Sequence, residues 1–200
     1  MKGSLIIVSF FVIGILCGVY HLIPFDFTQS KLSYYALGAL MFCVGLSVGN
    51  DSQTLKKVRL LNPGLVFLPI MTILGTLAGT ALVSIFLSNR SLTDCLAVGS
   101  GFGYYSLSSI FITEYKGSEL GTIALLSNII REVITLLFAP LLVKYFGNLA
   151  PISAGGATTM DTTLPIIARY SGQGFVIVSI FHGFIVDFSV PFLVILFCSI

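Results

Sequence analysis

Five ionisable side chains stand where the surrounding sequence offers no water. Arg131 and Glu132 lie within NIIREVITLLFAPLL, Asp161 within GGATTMDTTLP, and His182 and Asp187 within HGFIVDFSVP. An ionised group near the centre of a bilayer costs at least about 2.5–3.5 kcal/mol, so Arg131, Glu132 and Asp161 together cost on the order of 10 kcal/mol if unpaired. Groups kept at that cost are candidates for binding a charged solute or carrying a proton. A mid-span carboxylate can hold either a cation or a proton but not both well, which makes Glu132 the candidate for exchanging them. Asn128 and Glu132 are spaced i, i+4 and share a helix face, whereas Arg131 points about 100° away. Glu132 is therefore not obliged to neutralise its neighbour. Each of these groups also has a plainer role open to it: a buried ion pair for Glu132, an N-cap for Asp161, a packing histidine for His182, and a vestibule or subunit contact for Asp187.

The segments that must position these groups are interrupted in two places. In GSGFGYYSLSS (residues 99–109) three alternating glycines allow the backbone to unwind, and five hydroxyls follow within six residues. In GGATTMDTTLP (residues 155–165) a Gly-Gly pair is joined by four threonines, a carboxylate and a proline. Non-helical backbone at membrane depth survives only where protein buries it or where it lines a watery cavity. Broken helices of this kind aim half-helix N-termini at anions and freed carbonyls at cations. The plainer alternative is that the glycines serve close helix packing and the hydroxyls bond back to their own backbone.

The rest of the chain supports a membrane setting. Of its 200 residues 56% are hydrophobic and only 9% charged, and the mean hydropathy is +1.03. A soluble domain carries about 25% charged residues to cover its surface, so this chain must face lipid. The net charge of +2 forms no basic stripe suited to nucleic acid. Cys17, Cys43, Cys95 and Cys198 show no CxxC spacing and read as inert thiols in apolar runs. No P-loop, GxSxG or HExxH motif is present, so neither an enzyme, a cofactor nor a metal site is expected.

Apolar stretches long enough to cross a bilayer cover residues 4–24, 32–49, 64–88, 94–113, 120–143, 151–168 and 174–200. The expected fold is an all-α integral membrane protein, one transmembrane domain over residues 1–200, with about seven transmembrane helices, two of them interrupted. The first span reads as uncleaved, since no A-x-A pattern follows it. No internal repeat is visible. Basic residues in short loops mark the cytoplasmic side. Placing Lys56, Lys57 and Arg59 inside puts Lys2, Lys116 and Arg169 inside and Lys31, Arg90 and Lys144 outside. That gives a cytoplasmic N-terminus and an outside C-terminus. A re-entrant 151–168 would move Arg169 outside and weaken the bias.

The four strings GSGFGYYSLSS, NIIREVITLLFAPLL, GGATTMDTTLP and HGFIVDFSVP, in this order, resemble the bacterial lysine exporter family LysO. The stretch MFCVGLSVGNDSQTLKKV is similar to that family's cytoplasm-facing span and basic loop. The resemblance implies a multi-pass inner-membrane exporter of L-lysine and its toxic analogue thialysine, driven against a proton flow by alternating access. It implies that Glu132 matches the family's functional membrane acid. Family members carry about three further spans before the matched region, together with a second functional carboxylate. A small membrane subunit supplying those spans, or a homodimer, is therefore expected as partner, besides lysine, protons and lipid. Asp187 stands where the family pattern leads one to expect an uncharged residue.

On that basis the candidate substrate- and proton-binding residues are Glu132, Asp161, Arg131, Asn128 and His182, with hydroxyls on two walls. Thr158, Thr159 and Thr162 would hold the substrate's α-carboxylate, and Tyr104, Tyr105, Ser106 and Ser108 would line the opposite side. Other classes fit the same residues: a cation/proton antiporter, an organic-anion symporter, or a membrane scaffold or sensor subunit that transports nothing.

Overall fold

The computed structural model describes residues 63–200, together with the separate positions Leu16, Cys17, Tyr20, Tyr35 and Phe42. The chain divides into two compact units, Met1–Asn50 and Asp51–Ile200, and every element below belongs to the second. Apart from those separate positions, the expected spans 4–24 and 32–49 lie outside the described residues. So do Cys43 and the basic residues Lys56, Lys57 and Arg59.

Residues 63–200 are helix and turn, with no strand among the described residues. The helices are α1 (Pro63–Val66), α2 (Leu68–Phe86), α3 (Leu92–Gly99), α4 (Tyr105–Lys116), α5 (Ser118–Phe146), α6 (Ala150–Gly155), α7 (Leu164–Tyr170) and α8 (Val176–Ser199). A 3-10 turn, Gly156–Met160, continues α6. Three stretches are long and apolar enough to cross a membrane: Gly64–Phe86, Ser118–Phe146 and Gln173–Ser199. The last is 44% buried, against 11% and 17% for the other two, so α8 is the inner helix and α2 and α5 turn wide apolar faces outward.

The interrupted stretch 92–116 does not run from one end of the unit to the other. With 8 and 12 residues, α3 and α4 reach only about 12 and 18 Å, well short of a bilayer core of about 30 Å. They form a hairpin whose open end is closed by charge, with Lys116 Nζ 3.7 Å from Asp94 Oδ1 and Arg90 paired with Glu119 beside it. α3 starts there because the Ser91 hydroxyl caps it, accepting from the Asp94 amide at 3.0 Å. α5 then runs back along α4, where Gly121 leaves no room between itself and Thr113.

Residues 150–170 make a second hairpin from the opposite end. Ile152 of α6, Ile167 of α7 and Val178 of α8 are packed into one apolar cluster, with Leu65 and Leu68 against it, so α6 and α7 lie side by side near the start of α2. From that end α8 returns to the first, where Cys198 lies in the field of Lys116 and Asp94. Each hairpin is thus followed by a long helix, and the two hairpin-and-helix units enter from opposite ends. The sequence showed no repeat because the symmetry is one of direction and the residues of the two units differ. Cys17, Cys95 and Cys198 are free thiols.

Candidate functional site

The hairpins end where glycines stop their helices, and the two tips touch. The Ala157 amide of the second donates to the Phe102 carbonyl of the first at 2.9 Å. Phe102 holds a φ of +46° and Gly103 one of +95°, a backbone that L side chains seldom adopt. Gly156, at φ +64°, must lack a side chain, because a Cβ there would run into the Phe102 carbonyl. Both strings singled out by composition thus meet at one crossing in the middle of the unit.

Two side chains of α5, three residues apart, hold that crossing. Asn128 Oδ1 accepts from the Gly103 amide at 2.7 Å, while its Nδ2 donates to the Ala124 carbonyl at 2.9 Å and the Val98 carbonyl at 3.4 Å. Arg131 donates from Nε to the Ala154 carbonyl at 2.8 Å and from Nη2 to the Ser153 carbonyl at 3.0 Å. These carbonyls lie in the last turn of α6, where the helix leaves its acceptors unsatisfied. The guanidinium also reaches Thr76 Oγ1 at 3.4 Å and lies 5.9 Å from the centre of the Phe102 ring. It has no carboxylate partner among the described residues.

Arg131 stands between two clefts laid end to end along α2 and α5. One, of about 630 Å³, runs from Met71 and Thr72 past Ile134 and Thr135 to Ser153 and Ala154. The other, of about 570 Å³, runs from Leu120, Ile123 and Asn128 to Arg90 and Asp94. Thr76, Ser127 and Arg131 line both, so they form the waist. Each volume lies in the range of about 300–1,000 Å³ that small-molecule sites occupy.

The other candidate residues divide by environment. Thr158 and Thr159 are buried and their hydroxyls are bonded to protein. Thr158 Oγ1 donates to the Gly155 carbonyl at 3.0 Å and meets Thr163 Oγ1 at 3.2 Å. Thr159 Oγ1 lies 2.8 Å from the Gly156 carbonyl, 2.9 Å from that of Ser179 and 3.3 Å from His182 Nδ1. Fully buried His182 also meets Thr72 Oγ1 through Nε2 at 2.9 Å. Because the Thr159 hydroxyl gives its one proton to a carbonyl, Nδ1 must donate to it and Nε2 accept from Thr72. Ser108 Oγ bonds back to the Tyr104 carbonyl at 2.8 Å. Tyr105, Ser106 and Thr162 are exposed.

Glu132 is half-buried, lines neither cleft, and has no hydrogen-bond or ion-pair partner among the described residues. Asp161 is exposed, and its carboxylate accepts from the Thr162 amide at the end of the turn. Asp187 is buried on α8. Asp161 and Asp187 act on each other electrostatically, and both act on the half-buried Tyr104 hydroxyl. The structure therefore brings Asn128 and Arg131 to the crossing, while Glu132 stands by itself. Sequence reasoning missed Thr72, Thr76 and Ser127. Lone hydroxyls on apolar helices gave no signal, and only the fold of α2 against α5 puts them at the waist.

A family model, Lysine exporter LysO, matches residues 8–198. The chain belongs to the LysO family. The match takes in both hairpins and the three long helices. The lysine exporter LysO of Escherichia coli is 34% identical over 170 residues, which are 85% of this chain and 56% of that protein. A Haemophilus influenzae protein named "Putative lysine exporter" is 35% identical over 165 residues, 82% of this chain and 83% of that one. The chain thus spans little more than half the length of its E. coli relative. No solved structure matches it. LysO proteins are named for transport and not for catalysis, and three membrane-length apolar helices make this member a membrane protein.

Proposed function

We propose that this chain is the translocating part of an L-lysine exporter of the bacterial inner membrane, working by alternating access in exchange for protons. The observation that carries the proposal is the crossing, where two hairpins from opposite ends meet tip to tip between two clefts. A solute in either cleft reaches the waist at Arg131, and displacement of one tip against the other opens one cleft as it closes the second. The names of the E. coli and H. influenzae relatives supply the substrate. Its α-carboxylate meets Arg131, whose charge is otherwise answered, among the described residues, by carbonyl oxygens and a hydroxyl. Glu132 exchanges the proton, since a half-buried carboxylate without a partner is costly unless it is protonated or binds a cation.

In this proposal α2 starts in the cytoplasm, α5 returns to it, and α8 ends outside. The hairpins enter from the outside and the cytoplasmic side respectively. The reading includes a second membrane component, a small subunit or another copy of the chain, that encloses Glu132. Glu132→Gln tests the proton role: the variant inserts normally but exports no lysine. Thialysine resistance is measured in a strain lacking its own exporter, with and without a co-expressed partner, alongside lysine efflux from loaded vesicles under an imposed pH gradient. Wild-type resistance from the variant would remove Glu132 from the coupling.

A further inference from the structure

The cleft between the waist and the open end of the first hairpin carries opposite charges at its two ends. Arg131 lines it at the waist and Asp94 at the mouth. Two contacts fix their spacing. At the mouth Arg90, just before α3, pairs with Glu119 of α5, and at the waist Asn128 of α5 reaches the Val98 carbonyl of α3 at 3.4 Å. The two helices therefore run side by side in the same direction. Asp94 lies four residues before Val98, and Arg131 three after Asn128. At about 1.5 Å per residue, that sets them about 10 Å apart along the cleft. The Asp94 side chain is 21% exposed, and its ion-pair partner is Lys116, with Nζ 3.7 Å from Oδ1. That separation is longer than a hydrogen bond, so the ammonium stands near the carboxylate without being bound to it. Arg90 also lines the mouth, but its charge is answered by Glu119.

A ligand held at both ends of this cleft is an anion at the waist and a cation at the mouth. Its stem is apolar, because Val98, Leu120 and Ile123 line the wall between. An extended lysine spans about 7 Å from carboxylate carbon to ε-ammonium, and a hydrogen bond of about 3 Å at each end lets it bridge the two side chains. We propose that Asp94 binds the ε-ammonium of the amino acid whose α-carboxylate meets Arg131, and that Lys116 competes for the same carboxylate. The assignment rests on the lysine-export reading, in whose orientation α5 starts outside, so this cleft is the exit. A carboxylate at the exit retains a cationic cargo unless another cation replaces it. Lys116 carries the same three-donor ammonium as the cargo, and its tether keeps it at high local concentration. Asp94 thus selects a basic side chain, and Lys116 displaces it.

The test is equilibrium binding of radiolabelled L-lysine to membranes of the native host, with variants placed at the gene's own locus and a deletion strain as blank. Norleucine, which keeps the α-carboxylate and lacks the ε-ammonium, is the competitor. A part-exposed ion pair adds little to stability, so the variants fold. Asp94→Asn is expected to weaken lysine about tenfold or more, the loss of one charge-assisted hydrogen bond, and to leave norleucine unchanged. Asp94→Glu retains the preference for lysine. Lys116→Met removes the competing ammonium and tightens lysine by up to about fivefold, the worth of such a pair. A purely structural ion pair would instead shift both ligands alike, and in the same direction in Asp94→Asn and Lys116→Met. That pattern, or an unchanged lysine preference in Asp94→Asn, would overturn the site while wild-type lysine binding keeps the export reading standing. Unchanged lysine affinity in Lys116→Met would overturn the competition. No lysine binding by the wild type would overturn the export reading and the site together.

Discussion

The two hairpins meet at one hydrogen bond but are held by different means. The first is carried by glycines and tied to α5 by one neutral amide, Asn128. The second is tied to α5 by a guanidinium on two carbonyls at the end of α6 and to α8 through Thr159, Ser179 and His182. Charge-assisted bonds are about twice as strong as neutral ones, and the second tip also has more of them. In the proposed alternating access this makes the second hairpin the fixed member of the pair and the first the one that moves. The proposed exchange needs such an inequality, because two equally held tips would give no reason for either to yield.

The largest expected effect comes from removing the fit between the tips. Gly156→Ala places a methyl group against the Phe102 carbonyl at a φ of +64°, a clash added to backbone strain. A loss of about 3 kcal/mol or more is expected, read as a large drop in the thermal unfolding temperature of the detergent-purified protein and loss of lysine export. Arg131→Lys comes next. Lysine keeps the charge but cannot bond the Ser153 and Ala154 carbonyls side by side, a cost of about 2–3 kcal/mol. Asn128→Ala leaves the Gly103 amide unpaired and is expected to cost only about 1–2 kcal/mol, while changing the lysine efflux rate by a larger factor than its stability predicts. If Asn128→Ala destabilises more than Arg131→Lys, the assignment of fixed and moving hairpin is reversed.

Part of this arrangement was legible in the sequence. The strings GSGFGYYSLSS and GGATTMDTTLP lie where the helices stop, because alternating glycines and a Gly-Gly pair remove the side chains that hold a helix together. The return of the first hairpin was not legible, whereas a re-entrant 151–168 stood beside the span as an alternative. Residues 94–113 have the length of a span, and only the pairing of Lys116 with Asp94 shows that the chain folds back. The basic residues could not decide it either. For residues 51–200 outside the helix cores, continuous spans put Lys116 inside and Lys144 outside, hairpins do the reverse, and both give five against two. Arg131 was expected at the substrate, and the two carbonyls it donates to come from a segment more than twenty residues away.

The smallest expected effect is at Ser108, one of the hydroxyls that composition placed on the substrate-binding wall. The residue is buried beside the first tip, and a Cβ at Gly101 would touch both its hydroxyl and Asn128. A hydroxyl so close to the moving hairpin would be expected to matter. However, its hydrogen bond goes back one turn to the Tyr104 carbonyl at 2.8 Å, an oxygen that already accepts from the Ser108 amide at 3.1 Å. Removing a second donor from a satisfied acceptor strands no group, so Ser108→Ala is expected to change stability by less than about 0.5 kcal/mol. Lysine efflux should then change by less than about twofold, since that energy is worth little more than a factor of two in any equilibrium. A tenfold loss of efflux with an unchanged unfolding temperature would show that the hydroxyl turns from Tyr104 to the substrate during transport. The first hairpin would then be a binding element as well as a moving one.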